Sequence, residues 1–73
     1  MPPKLLLKPR EIIKRLEQLG FVHDHTSGSH AIYFHNNTKR RAVVPLHVKE
    51  LPKGTVKALL RESGIETRDF LRG

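Results

Sequence analysis

Residues 21–46, FVHDHTSGSHAIYFHNNTKRRAVVPL, carry the strongest fold signal in this chain. Three runs within them, FVHDH, AIYFH and RRAVVPL, are rich in the β-branched and aromatic residues that favour strands. TSGS and NNTK separate the runs, and their Gly and Asn residues tolerate the positive φ of tight turns. The stretch therefore predicts three antiparallel strands, with Pro45 ending the third strand or lying at its edge.

A helix is predicted on each side of these strands. The segment PREIIKRLEQLG begins with Pro9, which suits a first helical turn, and ends with Gly20, a helix stop. Its apolar residues recur at helical spacing and form one face: Ile12, Ile13, Leu16 and Leu19. A second helix is predicted to begin between Pro52 and Thr55 and to end at Gly64.

After the second helix, Thr67 is placed to cap one last short turn, from which Phe70 or Leu71 returns to the core. The order α-β-β-β-α predicts an α+β fold, with the helices on one face of a three-stranded antiparallel sheet. Alternation along the middle strand does not say which face the helices cover. His30, Ile32 and Phe34 share one face and Ala31, Tyr33 and His35 share the other, and both sets are largely apolar.

The composition limits the possible functions. A chain of 73 residues without cysteine is expected to form one domain, residues 1–73, with no disulfide and no thiolate metal site. The leucines of residues 5–7 are too few for a signal peptide or a membrane span, so we expect a cytosolic protein. The net charge of +7 favours a polyanionic partner such as nucleic acid, or an acidic protein surface.

Six basic residues are candidates for phosphate contact. Lys53, Lys57 and Arg61 follow one another at intervals of four and form one stripe on the second helix, opposite its apolar side. Lys39, Arg40 and Arg41 add positive charge at the start of the third strand. A solvated helix face is the alternative interpretation of the stripe. Residues 38–61 contain a single acidic residue, Glu50, and this charge balance favours phosphate binding with a steep salt dependence.

Five histidines raise the question of a metal site. His23 and His25 would point to the same face of a strand, but the sequence has no H-x3-H pair and few carboxylates to complete a ligand set. We therefore expect no metal, and exposed side chains at His23, His25 and His35. A Ser-His-Asp arrangement that uses Ser27 or Ser29 with Asp24 is disfavoured, because no strand-to-helix elbow presents the serine.

His30 has a chemical use beside such a basic stripe. RNA carries its own nucleophile in the 2′-OH, so its cleavage needs a proton carrier that titrates near neutral pH and cations that stabilise the phosphorane. Taken without further context, however, a single histidine at the start of a strand is more often a surface residue of no catalytic role.

His30 belongs to one of four motifs that occur in a characteristic order. LGF (19–21), GSH (28–30) with Tyr33, VPLH (44–47) and ELPKGTVKALLRESGI (50–65) together resemble the HicA (YcfA-type) toxins of bacterial and archaeal toxin-antitoxin pairs. The resemblance runs from about Arg10 to Phe70. It implies a fold similar to the double-stranded-RNA-binding domain and a cofactor-free endoribonuclease, or mRNA interferase, that is inhibited by a HicB-type antitoxin.

The resemblance also implies roles for particular residues. The histidine of GSH is essential in the family, so His30 is the expected catalytic residue, with Gly28 and Ser29 in support. His47 matches the P-x-H position, and either a functional or a structural role remains open. Phe34 stands where relatives often carry a polar side chain, so it is core, a base-stacking surface or an antitoxin contact. The competing interpretation is a non-catalytic RNA- or DNA-binding module in which His30 is incidental.

Overall fold

The structure, a computed structural model, describes residues 8–72 and confirms the α-β-β-β-α order, with a short third helix added at the end. Its elements are listed in chain order: α1, Pro9–Gln18; β1, Phe21–Ser27; β2, His30–His35; β3, Arg41–Pro45; α2, Lys53–Ser63; and α3, Thr67–Arg72. No helix among these residues has both the length and the apolar character needed to cross a membrane, and the leucines of residues 5–7 lie outside the described part.

The helix boundaries follow the predicted signals. Pro9 occupies the first turn of α1, and Gly20 leaves the helix with a φ of 96°. Gly64 ends α2 in the left-handed conformation, with a φ of 72° that glycine adopts without a Cβ penalty. Ile12 and Leu16 of α1 are fully buried, so the apolar face predicted for this helix packs against the sheet.

The sheet is antiparallel in the order β1-β2-β3, so β2 lies in the centre. Ala31 and Tyr33 of β2 pack into the core together with Ala42 and Val44 of β3, beneath the apolar sides of the helices. The structure thus selects the face that the alternation left open. His30, Ile32 and Phe34 lie on the opposite face of the sheet, which we call the outer face.

Strand β1 contains a bulge, which changes the predicted faces of His23 and His25. His23 pairs with Tyr33 and His25 pairs with Ile32, so one extra residue, Asp24, lies between the two histidines. Since Tyr33 and Ile32 point to opposite faces, the prediction that His23 and His25 share a face is wrong. The ring of His23 instead contacts the ring of Tyr33 in an edge-on arrangement, with 5.4 Å between their centroids.

The last helix closes the core. The carbonyl of Glu66 accepts bonds from the backbone N–H groups of Asp69 and Phe70, so α3 begins at Thr67 and the predicted cap lies one residue too late. Phe70 is completely buried within the cluster formed by the sheet, α1 and α2, which confirms its predicted return to the core. Leu71 is only half-buried.

Candidate active site

His30 is presented by a tight turn. Ser27 of β1 pairs with His30 of β2, so Gly28 and Ser29 form a two-residue loop between the strands. Gly28 has a φ of 58°, and a Cβ built on it would meet no atom within 4 Å. The backbone conformation therefore favours glycine here, rather than any shortage of space. The side chain of His30 is exposed at this end of the sheet.

The structure brings His47 next to His30. His30 pairs with Pro45 at the end of β3, and the N–H of Leu46 continues the ladder by donating to the carbonyl of Ser29 at 2.6 Å. His47, the next residue, then lies beside His30, with 6.3 Å between ring centroids and 75° between ring planes. The GSH and P-x-H motifs are thus adjacent at one exposed position, and the backbone carbonyl of Ser29 holds them together by accepting the bond from Leu46.

His35 has a structural role, and the prediction that its side chain is exposed is wrong. It is half-buried, and its Nε2 donates to the carbonyl of Leu19 at 3.2 Å. Its Nδ1 accepts the backbone N–H groups of Asn37 and Thr38, each at 3.2 Å. The ring thereby connects the end of α1 to the loop between β2 and β3.

His23 and His25 are exposed, as predicted, and each has a hydrogen-bond partner. His23 Nε2 bonds the hydroxyl of Thr26 at 2.8 Å, and His25 Nδ1 bonds the carboxylate of Asp24 at 2.7 Å. Asp24 therefore orients His25 and not His30. Within residues 8–72, no group of three or more potential metal-ligating side chains lies close together.

Tyr33, which belongs to the motif around His30, does not serve as a base at this site. Its side chain lies on the helix side of the sheet and is buried. Burial raises the pKa of its phenol above the ordinary value of 10.0, and the negative charge of Glu17 acts in the same direction. Tyr33 therefore stays protonated at physiological pH.

The stripe on α2 runs from Lys53, the first residue after the segment that leaves the histidine end of β3, toward the Arg40 end of the sheet. The chain leaves β3 at Pro45, beside His30, and enters α2 at Lys53, while the other end of α2 reaches Arg40 at the far end of the sheet. Lys53, Lys57 and Arg61 are all exposed, and they extend over about 12 Å of the helix. The ion pairs in the described part of the chain, His25 with Asp24 and Arg68 with Glu66, do not involve them.

The other three basic residues lie about 13 Å or more from the histidine end, as measured along β3. Lys39 has a φ of 63° in the loop before β3, and Arg40 packs along Gly64, where a Cβ would come within 3.4 Å of its Nε. Only Arg41 belongs to the strand itself. The structure therefore does not bring these three residues to His30.

Phe34 is not part of the core beneath the helices. It lies half-buried on the outer face, where Arg41 is its direct neighbour on β3. The guanidinium carbon of Arg41 lies 5.7 Å from the centroid of the Phe34 ring, within cation–π distance. Its position excludes the core role, and the predictions of a base-stacking surface and of an antitoxin contact both remain for Phe34.

Comparison with known proteins gives the chain a family. The model for the HicA toxin of bacterial toxin-antitoxin systems matches residues 9–65, more than three quarters of the chain. The match includes both neighbouring histidines, the three strands and the stripe on α2. No curated protein matches the chain. On the strength of the family match, the chain belongs to the HicA family, the toxins of bacterial toxin-antitoxin systems.

Proposed function

We propose that this toxin is a metal-independent endoribonuclease that cuts messenger RNA in the cytosol, with His30 as the essential proton carrier. The observation that carries the proposal is the setting of His30. Its exposed ring makes no hydrogen bond within residues 8–72, and it lies at the end of the sheet where the chain leaves β3 and continues to α2. A proton carrier needs such an unoccupied ring nitrogen within reach of substrate.

The chemistry requires little of the protein. The 2′-OH of RNA attacks the adjacent phosphorus, and a histidine near neutral pH accepts or donates the proton that moves. Negative charge builds up on the phosphorane oxygens, where a lysine stabilises it. Lys53 at the start of α2 is the cation of the stripe nearest to this end of the sheet. A metal ion is not needed for any of these tasks, and a deep pocket is not needed either.

RNA binding is assigned to the exposed stripe on α2. We expect the double variant Lys53→Ala/Lys57→Ala to bind single-stranded RNA more weakly and with a shallower salt dependence. Each lost phosphate contact lowers the slope of log K against log salt by about 0.7, so the two together lower it by about 1.4. Fluorescence anisotropy with a labelled RNA from low to moderate salt measures both effects.

Arg68→Ala is the matched control for this titration, because Arg68 is equally basic and exposed but already binds Glu66 at 3.0 Å. Its slope is expected to equal that of the wild type. An unchanged slope in the double variant would remove the stripe from the RNA-binding surface. Lys39, Arg40 and Arg41 remain further proposed contacts, at the far end of the same sheet.

We propose that a HicB-type antitoxin inhibits the enzyme by covering the histidine end of the sheet. The excess of positive charge on the chain favours a partner with an acidic contact surface. Such a partner competes with RNA for the same cations, so the inhibited complex binds RNA poorly. This proposal is supported by family membership in a toxin-antitoxin system and by the exposure of both histidines.

The function is tested with purified protein and a messenger RNA in excess chelator. Cleavage in chelator, growth arrest on expression and relief of that arrest by a HicB-type protein encoded next to the toxin are the expected results. Abolition of cleavage by the chelator would contradict the metal-independent mechanism. Tight RNA binding without cleavage would instead establish the competing interpretation, a non-catalytic binding module.

A further inference from the structure

The histidines of this chain fall into two groups. His23, His25 and His35 each bond another group, as described above. His30 and His47 make no hydrogen bond within residues 8–72, yet they are the two whose rings lie side by side, 6.3 Å between centroids. Because both rings are exposed, their nitrogens are accessible to water and to a bound substrate, whereas each of the other three histidines already bonds a neighbouring group.

The structural role considered for His47, bonding the start of α2, has no support in the geometry. The N-terminal cap position of α2 is Pro52, and no side chain caps this end of the helix. The ring of His47 is exposed beside His30 instead. What holds it there is the backbone: the bond from Leu46 to Ser29 ties the segment after β3 to the turn before β2.

We propose that His47 is a second catalytic residue, and that His30 and His47 act together as the general base and the general acid of RNA cleavage. This inference rests on the proposed ribonuclease function. A phosphate that lies between the two imidazole rings is within reach of one hydrogen bond of roughly 3 Å from each ring. A ring on each side of the phosphate can then serve the attacking and the leaving oxygen separately.

The step balances without any other reactant. One neutral imidazole takes the proton of the 2′-OH as the bond from the 2′-oxygen to phosphorus forms. The other, protonated, gives its proton to the 5′-oxygen as the bond from phosphorus to that oxygen breaks. The products are a 2′,3′-cyclic phosphate and a 5′-hydroxyl, and the exposed rings exchange protons with water before the next turnover. The polarity of the bound strand decides which histidine is the acid.

The test compares His47→Ala and His30→Ala on two RNAs, after the cut site of the wild type has been mapped. The second RNA carries sulfur in place of the 5′-oxygen at that site, because a thiolate leaves without a proton and bypasses the general acid. On ordinary RNA we expect each variant to be slower by roughly 10²-fold or more. On the sulfur-containing RNA, one variant regains most of its rate and the other does not.

The pH dependence provides the second readout. The wild type is expected to show a bell-shaped profile, and each variant to lose one limb of it. His47→Gln, which keeps a polar side chain that does not titrate, is expected to behave like His47→Ala. His25→Ala is the matched control, because His25 is also exposed and lies on the outer face; it should keep the rate and both limbs.

The failures of the two proposals are distinguishable. If His47→Ala keeps the wild-type rate, His47 is not a member of a catalytic pair. The same conclusion follows if neither variant regains its rate on the sulfur-containing RNA and both variants keep a full bell-shaped profile. Cleavage that still depends on His30 would then leave the proposed function intact. An inactive wild type would remove the proposed function and this inference with it.

Discussion

Replacement of His30 by alanine is expected to reduce the rate of RNA cleavage by roughly 10² to 10⁴-fold, the usual contribution of a positioned acid or base. The variant keeps the turn that presents residue 30, because Gly28 and the bond from Leu46 to the carbonyl of Ser29 involve backbone alone. We therefore expect the same thermal unfolding midpoint as for the wild type. Expression of His30→Ala should no longer arrest growth.

The RNA affinity of His30→Ala distinguishes an enzyme from a non-catalytic binding module. The stripe on α2 is untouched in His30→Ala, so the affinity for RNA measured by anisotropy should stay within about twofold of the wild type. A variant that binds as before and does not cut identifies His30 as a chemical group. If His30→Ala cuts RNA and arrests growth as the wild type does, the catalytic assignment is wrong.

Replacement of Phe70 by alanine is expected to cost about 3–5 kcal/mol of unfolding free energy. Phe70 is fully buried among residues of the sheet, α1 and α2, and truncation of its ring leaves a cavity in that core. Domains have roughly 0.05–0.15 kcal/mol of stability per residue, or about 4–11 kcal/mol for a chain of this length. The loss is thus a large fraction of the whole stability, and we expect unfolding at a much lower urea concentration than for the wild type.

Urea unfolding followed by circular dichroism measures this effect. Phe70→Leu keeps part of the buried volume and is expected to lose less, so it remains measurable if the alanine variant does not fold. Leu71→Ala is the neighbouring control in the same helix, and its half-buried side chain should cost only about 1 kcal/mol. A loss below about 1 kcal/mol for Phe70→Ala would mean that α3 does not close the core in solution.

Phe70 also lies beyond residues 9–65, the part of the chain that the family model matches. The sequence nevertheless predicted that Phe70 or Leu71 returns to the core after the helix stop at Gly64, and the structure buries Phe70. The same kind of local signal located both ends of α1 and α2. Proline in a first turn and glycine in a left-handed cap depend only on the backbone near them.

The outer face was less predictable, and the reason is physical. A β-strand alternates its side chains between two faces, and in β2 both alternating sets are largely apolar. Neither set could be excluded from the core by hydrophobicity alone. The bulge at Asp24 is a similar case, because one extra residue reverses the faces of all that follows in β1 and nothing in FVHDH marks its place.

The sequence predicted an α+β domain with a basic helix, and its motifs made His30 the candidate catalytic residue. The spacing of apolar residues, the charge of a helix and a short motif depend only on residues close together in the sequence, so these features can be predicted without a structure. The folded chain was needed to show that His47 lies beside His30, 17 positions away, and that Lys39, Arg40 and Arg41 lie at the opposite end of the sheet. Both outcomes follow from the pairing of His30 with Pro45, a register that is set by how the strands pack together and by no single stretch of sequence.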